Sequence, residues 1–165
     1  MALDLHFRMR MPLAHTRRFG PLQYDRLSVL TFPAGLPGFD GQPLFTLVEK
    51  PELAPIVFLQ SLNTPDLCFL SAPVSAIDPD YSLSLTSEDL ERLALDPARQ
   101  PVLNVEVLSL ALLCAPENGP LTANLLAPIV INLHTRVAVQ AVRADSRYSH
   151  TYPIRPLSNE TDPAC

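Results

Sequence analysis

Apolar residues along the chain fall into short runs cut off by proline or glycine. "LSVLTF" (27–32), "LFTLV" (44–48), "IVFLQSL" (56–62) and "LCFLSA" (67–72) follow one another in this way. Runs of about four to eight residues, rich in β-branched and aromatic side chains and bounded by turn formers, predict buried strands. "VLNVEVLSLALLC" (102–114) is the longest candidate. Its apolar phase moves from Leu103, Val105 and Val107 to Leu108, Leu110 and Leu112, which predicts a bulge or a change of face. "PENGP" (116–120) predicts a hairpin turn, and "LTANLLAPIVINL" and "VAVQAV" predict further strands. An early hairpin is expected from residues 14–19 and 22–24 around Gly20-Pro21.

Only "TSEDLERLAL" has a helical pattern. Thr86 and Asp89 fit an N-terminal capping box, Leu90 and Leu93 make an i, i+3 apolar pair, and Pro97 blocks continuation. A parallel α/β fold would need a crossover helix after each strand, and 18 prolines leave no room for them. The pattern therefore predicts a mostly β fold, a small antiparallel β-barrel-like domain with one short helix. At 165 residues the chain suits one domain. Residues 1–13 read as a loose lead-in, 14–152 as a single β domain, and 153–165 as a proline-rich tail.

Charge narrows the class of partner. The net charge is −5, but residues 1–26 carry five arginines against Asp4 and Asp25, while the remainder carries 7 basic and 15 acidic side chains. An acidic body repels nucleic-acid phosphates and attracts a basic partner. Direct nucleic-acid binding is not expected. There is no secretory signal pattern at the N-terminus and no run of about 18 apolar residues, so a cytoplasmic location without membrane insertion is expected. Three scattered cysteines agree with reduced thiols.

The sequence assembles no catalytic set. His6, His15, His134 and His150 lack metal-site spacing, so neither a metal nor any other cofactor is expected. Ser61 lacks the glycines of a nucleophile elbow. Cys68 and Cys114 sit in apolar runs and are expected to be buried structural thiols. Glu106 interrupts an apolar run and reads as solvent-facing by alternation, with a catalytic role as the other option.

Three of the five glycines fall in "FPAGLPGFDG" (32–41). "GLPG" is formally a G-x-x-G loop, but it follows a strand candidate, Pro37 lacks an N–H, and no cation lies between Arg26 and Lys50. Gly35, Pro37 and Gly38 read as a turn with special backbone geometry.

"LTFPAGLPGFDG" resembles the hallmark segment of the flagellar assembly factor FliW family. "LQSLNTPDLCFLSAP" and "LTANLLAPIVIN" (121–132) resemble it too, with Gln140 and Tyr148 at suitable distances beyond. The likeness runs in order over about residues 15–150. The chain departs from the family at "RVAV" (136–139), where members usually carry a polar, lysine-rich turn, and its arginine-rich start and proline-rich tail look like additions. The resemblance implies a non-enzymatic protein that binds flagellin and, alternatively, the translational regulator CsrA, so that flagellin synthesis follows export. It also points to Phe39, Asp40, Gln60, Phe69, Asn124, Ile129, Val130, Asn132 and Gln140 as partner-binding residues. For Leu36, Phe39, Phe58 and Phe69 a core role stays open beside contact, and for the polar residues a structural hydrogen bond does. A monomer is expected. The alternative reading is a small-molecule-binding β-barrel protein.

Overall fold

Short apolar runs separated by breakers build one curved sheet. The computed structural model describes residues 11–145 and 147–155; the lead-in before Met11 and the tail after Arg155 lie outside the described residues. Strands β1 (Leu13–Thr16) and β2 (Gly20–Gln23) form a separate hairpin whose turn lies before Gly20. Next come β3 (Leu30–Thr31), β4 (Leu44–Glu49), β5 (Val57–Ser61) and β6 (Cys68–Pro73). Two short helices, α1 (Val74–Ile77) and α2 (Ser87–Arg92), precede β7 (Val107–Cys114). The chain then forms β8 (Thr122–Ala123), β9 (Ile129–Asn132), β10 (Ala138–Gln140) and β11 (Tyr152–Pro153).

The main sheet runs in the order β10-β9-β7-β6-β5-β4-β3, and β8 pairs with both β7 and β11. All neighbouring strands are antiparallel. The concave face is filled by Leu30, Phe32, Leu36, Phe45, Leu59, Leu110, Ile129, Ile131 and Ala138. The convex face is also covered. Leu85, Leu90 and Leu93, in and around α2, pack on Val107, Val130 and Val139. Val74 of α1, Tyr81, Leu125 and Tyr148 pack on Ala111 and Ala123. Each such aliphatic side chain contributes about 1.5–3 kcal/mol by leaving water. Coverage on both faces is why β9 reads "IVIN" and not as an alternation: Ile129 and Ile131 face inward, Val130 outward.

Three expectations change. The sheet is barrel-like only in its curvature. Its ends, β3 and the approach to β10, meet at one parallel bridge, Thr31–Val137, with the Thr31 N–H donated to Arg136 O at 3.0 Å. One bridge is not a ladder, so the barrel does not close. The described residues hold two short α-helices, not one, because "VSAI" after Pro73 makes a single further turn. Residues 27–32 are mostly not strand: Arg26–Ser28 form a 3₁₀ turn capped by Asp25, whose carboxylate accepts the Leu27 N–H at 2.9 Å, leaving two residues to β3.

The long run 102–114 is also divided. Residues 102–106 form a turn in which the Glu106 N–H reaches Val102 O at 2.8 Å and Asn104 has φ +63°. The phase shift marks where that turn feeds β7. α2 forms as expected: the Thr86 hydroxyl accepts the Asp89 N–H at 3.2 Å. It ends before Pro97. Ala94 takes a left-handed conformation, φ +56°, and the Leu95 N–H closes back on Leu90 O at 2.9 Å, a Schellman stop.

Candidate functional site

The glycine-rich corner decides why the sheet stays open. Beyond Thr31, the next residue of the parallel ladder to donate an N–H would be residue 33, and Pro33 has none. The chain turns away instead, with the Gly35 N–H bonded to Phe32 O at 2.9 Å. Gly35 has φ +68°, a conformation costly for any residue with a Cβ, and Asp40 Cα and Phe39 O lie 3.4 Å from where that Cβ would be. A second turn follows at once, with the Phe39 N–H on Leu36 O at 2.8 Å and φ +83° at Gly38.

The corner buries one side of itself and displays the other. Leu36 is 2% exposed and joins the concave core. Phe32 meets Phe45 edge-on at 5.2 Å, Phe45 lies 6.2 Å from Phe69, and Phe69 meets Phe39 edge-on at 5.1 Å. This aromatic chain runs from the core to the surface, where Phe39 is 39% exposed. Phe58 is core, packed edge-on against Phe19 at 5.3 Å beneath the first hairpin.

A slot of about 210 Å³ occupies the unclosed seam. Ala34, Gly35, Pro37 and Asp40 form one wall; Arg92, Ala138, Val139 and Gln140 form the other. Four residues singled out from sequence, Gly35, Pro37, Asp40 and Gln140, thus come together across about a hundred residues of chain. Gln140 donates its side-chain amide to Ala127 O at 3.0 Å, which ties β10 to the segment before β9. Asn124 holds the other end of that segment, accepting the Ala127 N–H at 2.9 Å.

The other singled-out residues lie elsewhere. Gln60 is fully buried, and its amide donates to Ser61 O at 3.0 Å and Leu67 O at 3.1 Å, pinning the 62–67 loop. Its Oε1 is buried without a partner. Asn132, 4% exposed, donates to Leu93 O at 2.8 Å and accepts from the His134 and Thr135 N–H groups, so it joins α2 to the turn after β9. Ile129 and Val130 are fully buried in opposite faces of β9. These four leave no appreciable surface for a partner in this conformation, and apart from Gln60 Oε1 the side-chain polar groups of Gln60 and Asn132 are engaged in holding the fold.

Two polar clusters escaped the sequence reading, which marks Tyr148 but none of its partners. Arg143 is sandwiched between Tyr81 and Tyr148, 4.9 Å from each ring, and its guanidinium binds Asp145 at 2.8 and 3.0 Å and the Ser82 carbonyl. Tyr148 donates to Asp78 at 2.5 Å. Burial, then that carboxylate, push the Tyr148 hydroxyl up to about 12. Arg92 was missed as a wall of the slot; it pairs with Glu88 at 2.5 Å and Asp89 at 3.7 Å. An i, i+4 pattern predicts the first pairing, but no sequence signal places α2 beside the corner.

Glu106 lies at the surface as expected, but in a turn and not in an alternating strand, and it lines a depression of about 130 Å³ with Asp96 and Arg99. It grips Arg99 at 2.6 and 2.9 Å and accepts the Val102 N–H at 2.7 Å. The Arg99 bond first, then the Val102 amide, lower its carboxyl to about 2. Of the two cysteines expected to be buried, Cys114 is exposed at the end of β7 and Cys68 is half-buried; burial pushes the Cys68 thiol up, with Arg18 opposing it, which disfavours a thiolate. Among the described residues no group of three metal-ligating side chains gathers, and no helix is long and apolar enough to cross a membrane.

Fold and site together define an antiparallel β domain whose sequence-marked surface feature is an unclosed seam between sheet ends. The FliW protein family model matches residues 13–154. The flagellar assembly factor FliW of Syntrophomonas wolfei is 32% identical over 136 residues, covering 82% of this chain and 83% of its own. That of Bacillus subtilis is 30% identical over 142 residues, covering 86% and 96%. A crystal structure of the flagellar assembly factor FliW superposes with a TM-score of 0.74 at 29% identity, covering 88% of this chain and 98% of that one. The chain belongs to the FliW family.

Proposed function

We propose that this protein is a cytoplasmic flagellar assembly factor that binds flagellin and, in exchange, the translational regulator CsrA. When flagellin is exported, the freed factor sequesters the regulator and flagellin synthesis resumes. The exchange involves no chemical step and needs no cofactor, and the factor acts on translation without touching RNA. The observation that carries this reading is family membership across nearly the whole described chain, with the family's hallmark corner forming one wall of the seam.

The physical setting agrees. An acidic body steers a basic RNA-binding partner toward it. Phe39, 39% exposed at the surface end of the aromatic chain, offers an anchor for an apolar segment. The residues we assign to partner contact are Phe39, Asp40, Phe69, Asn124 and Gln140. Gln60, Ile129, Val130 and Asn132 are assigned to supporting them from within.

Isothermal calorimetry of the purified protein against flagellin and against CsrA from the same cell tests the reading. Saturable binding to each, with one displacing the other, is expected; no binding to either overturns it. The alternative, a small-molecule carrier, draws no support from the concave interior, which side chains fill. A depression of about 710 Å³, lined by Leu53, Ile56, Ile77 and Leu113 among others, lies outside that interior core.

A further inference from the structure

The seam leaves one stretch of strand edge without a neighbour. The Asn132 N–H bonds Val137 O at 2.9 Å, the Ala141 N–H bonds Pro128 O at 3.0 Å, and the Arg143 N–H bonds Leu126 O at 2.9 Å. Bonding direction alternates along an antiparallel ladder. Residues 137, 139, 141 and 143 therefore face β9 and the chain before it, and the backbone groups of Gln140 and Val142 point the other way, along the seam. Among the described residues the Val142 N–H and C=O have no backbone partner, and the residue is 58% exposed. Exposed edges are usually blunted by lysine, proline or a bulge. The stretch Ala138-Val139-Gln140-Ala141-Val142 has no such guard.

The surroundings set the chemistry of what can pair there. Asp40 is exposed on the facing wall, and Arg92 beside it is already held by Glu88 and Asp89. With Arg136, whose carbonyl takes the Thr31 N–H at the same seam, counted in, three carboxylates stand against two guanidinium groups, and the rim keeps one negative charge in excess. A second copy of this chain would bring one acidic rim against another along a three-residue edge. The protein's own β3 cannot fill the place, because Pro33 ends that ladder.

We propose that an extended, basic segment of the RNA-binding regulator adds as a strand beside Gln140–Val142, with a cationic side chain opposite Asp40. This rests on the regulator-binding reading above and specifies where and how that partner docks.

Amide hydrogen exchange on the protein, alone and saturated with CsrA, reads the edge directly. The Gln140 and Val142 amides are expected to exchange quickly alone and to slow about tenfold or more in the complex. Val142→Pro removes an N–H that the fold does not use. It is expected to keep the thermal midpoint within a few degrees while weakening CsrA binding about tenfold, whereas Val142→Thr, which retains the N–H, binds as the parent does.

CsrA binding without protection at these two amides, or undiminished affinity in a folded Val142→Pro variant, overturns strand addition and leaves the functional reading standing. Should Val142→Pro fail to fold, the exchange measurement on the parent protein decides alone. Protection that grows with protein concentration in the absence of CsrA assigns the edge to a second copy and also overturns the proposal. No CsrA binding by the parent protein overturns strand addition together with the regulator half of the functional reading.

Discussion

At the scale of single residues, position and partners matter more than residue type. Gln60 and Gln140 both lie in or near family-like segments, yet one is sealed under a loop and the other lines the slot. Nothing local separates them; which face of the strand is covered depends on chain that lies far away in sequence. Ala94 carries a conformational cost because a left-handed backbone crowds its Cβ. Ala94→Gly is expected to stabilise the protein by about 0.5–1 kcal/mol, read from the urea midpoint at constant slope. Glu106 makes a testable contribution to acid stability. Its folded pKa, about 2, lies below the ordinary 4.5, so its contribution is full above about pH 4.5 and fades as pH falls toward 2. Glu106→Gln should therefore cost stability at neutral pH, and the gap to the parent protein should narrow through that window in denaturant titrations at stepped pH.

At the scale of elements, apolar runs located the strands well and their ends poorly. β4, β5 and β6 fall where the runs lie, because each is bounded by breakers in the chain itself. β3 shrank to two residues because Asp25 caps a local turn that competes with extension. The shift inside 102–114 was legible, but its cause, a turn secured by the Glu106 side chain on Val102, was not. α2 was legible because its cap is local. Thr86→Ala is expected to cost about 1 kcal/mol. Since α2 supplies Arg92 to the slot, the same change should also raise hydrogen exchange in residues 87–93. A thermal midpoint equal to the parent's would show the cap to be idle.

At the scale of the whole molecule, the seam appears only when the sheet curls. One of its walls was marked by sequence as a glycine corner. The other comes from α2, through Arg92, and from β10. The proposed regulator encounter gives a whole-molecule expectation. Asp40→Lys should slow CsrA association several-fold in low salt, and the difference should vanish in about 1 M salt, where the screening length drops to about 3 Å. Stopped-flow rates that do not respond to the substitution at any ionic strength would count against steering by this rim.

The chain by itself determined its class, most of its strands, the capped helix and the corner, because breakers, caps and apolar spacing act over a few residues. It also carried the likeness to its family. Tertiary structure alone decided that β9 is buried on both faces, that Gln60 and Asn132 turn inward, and that the sheet ends meet at a single bridge without a closing ladder. Those outcomes depend on contacts between segments tens of residues apart, and local pattern holds no record of such contacts. Pro33 joins the two levels. Its missing N–H can be read from sequence, but what it interrupts becomes visible only when Val137 arrives beside Thr31.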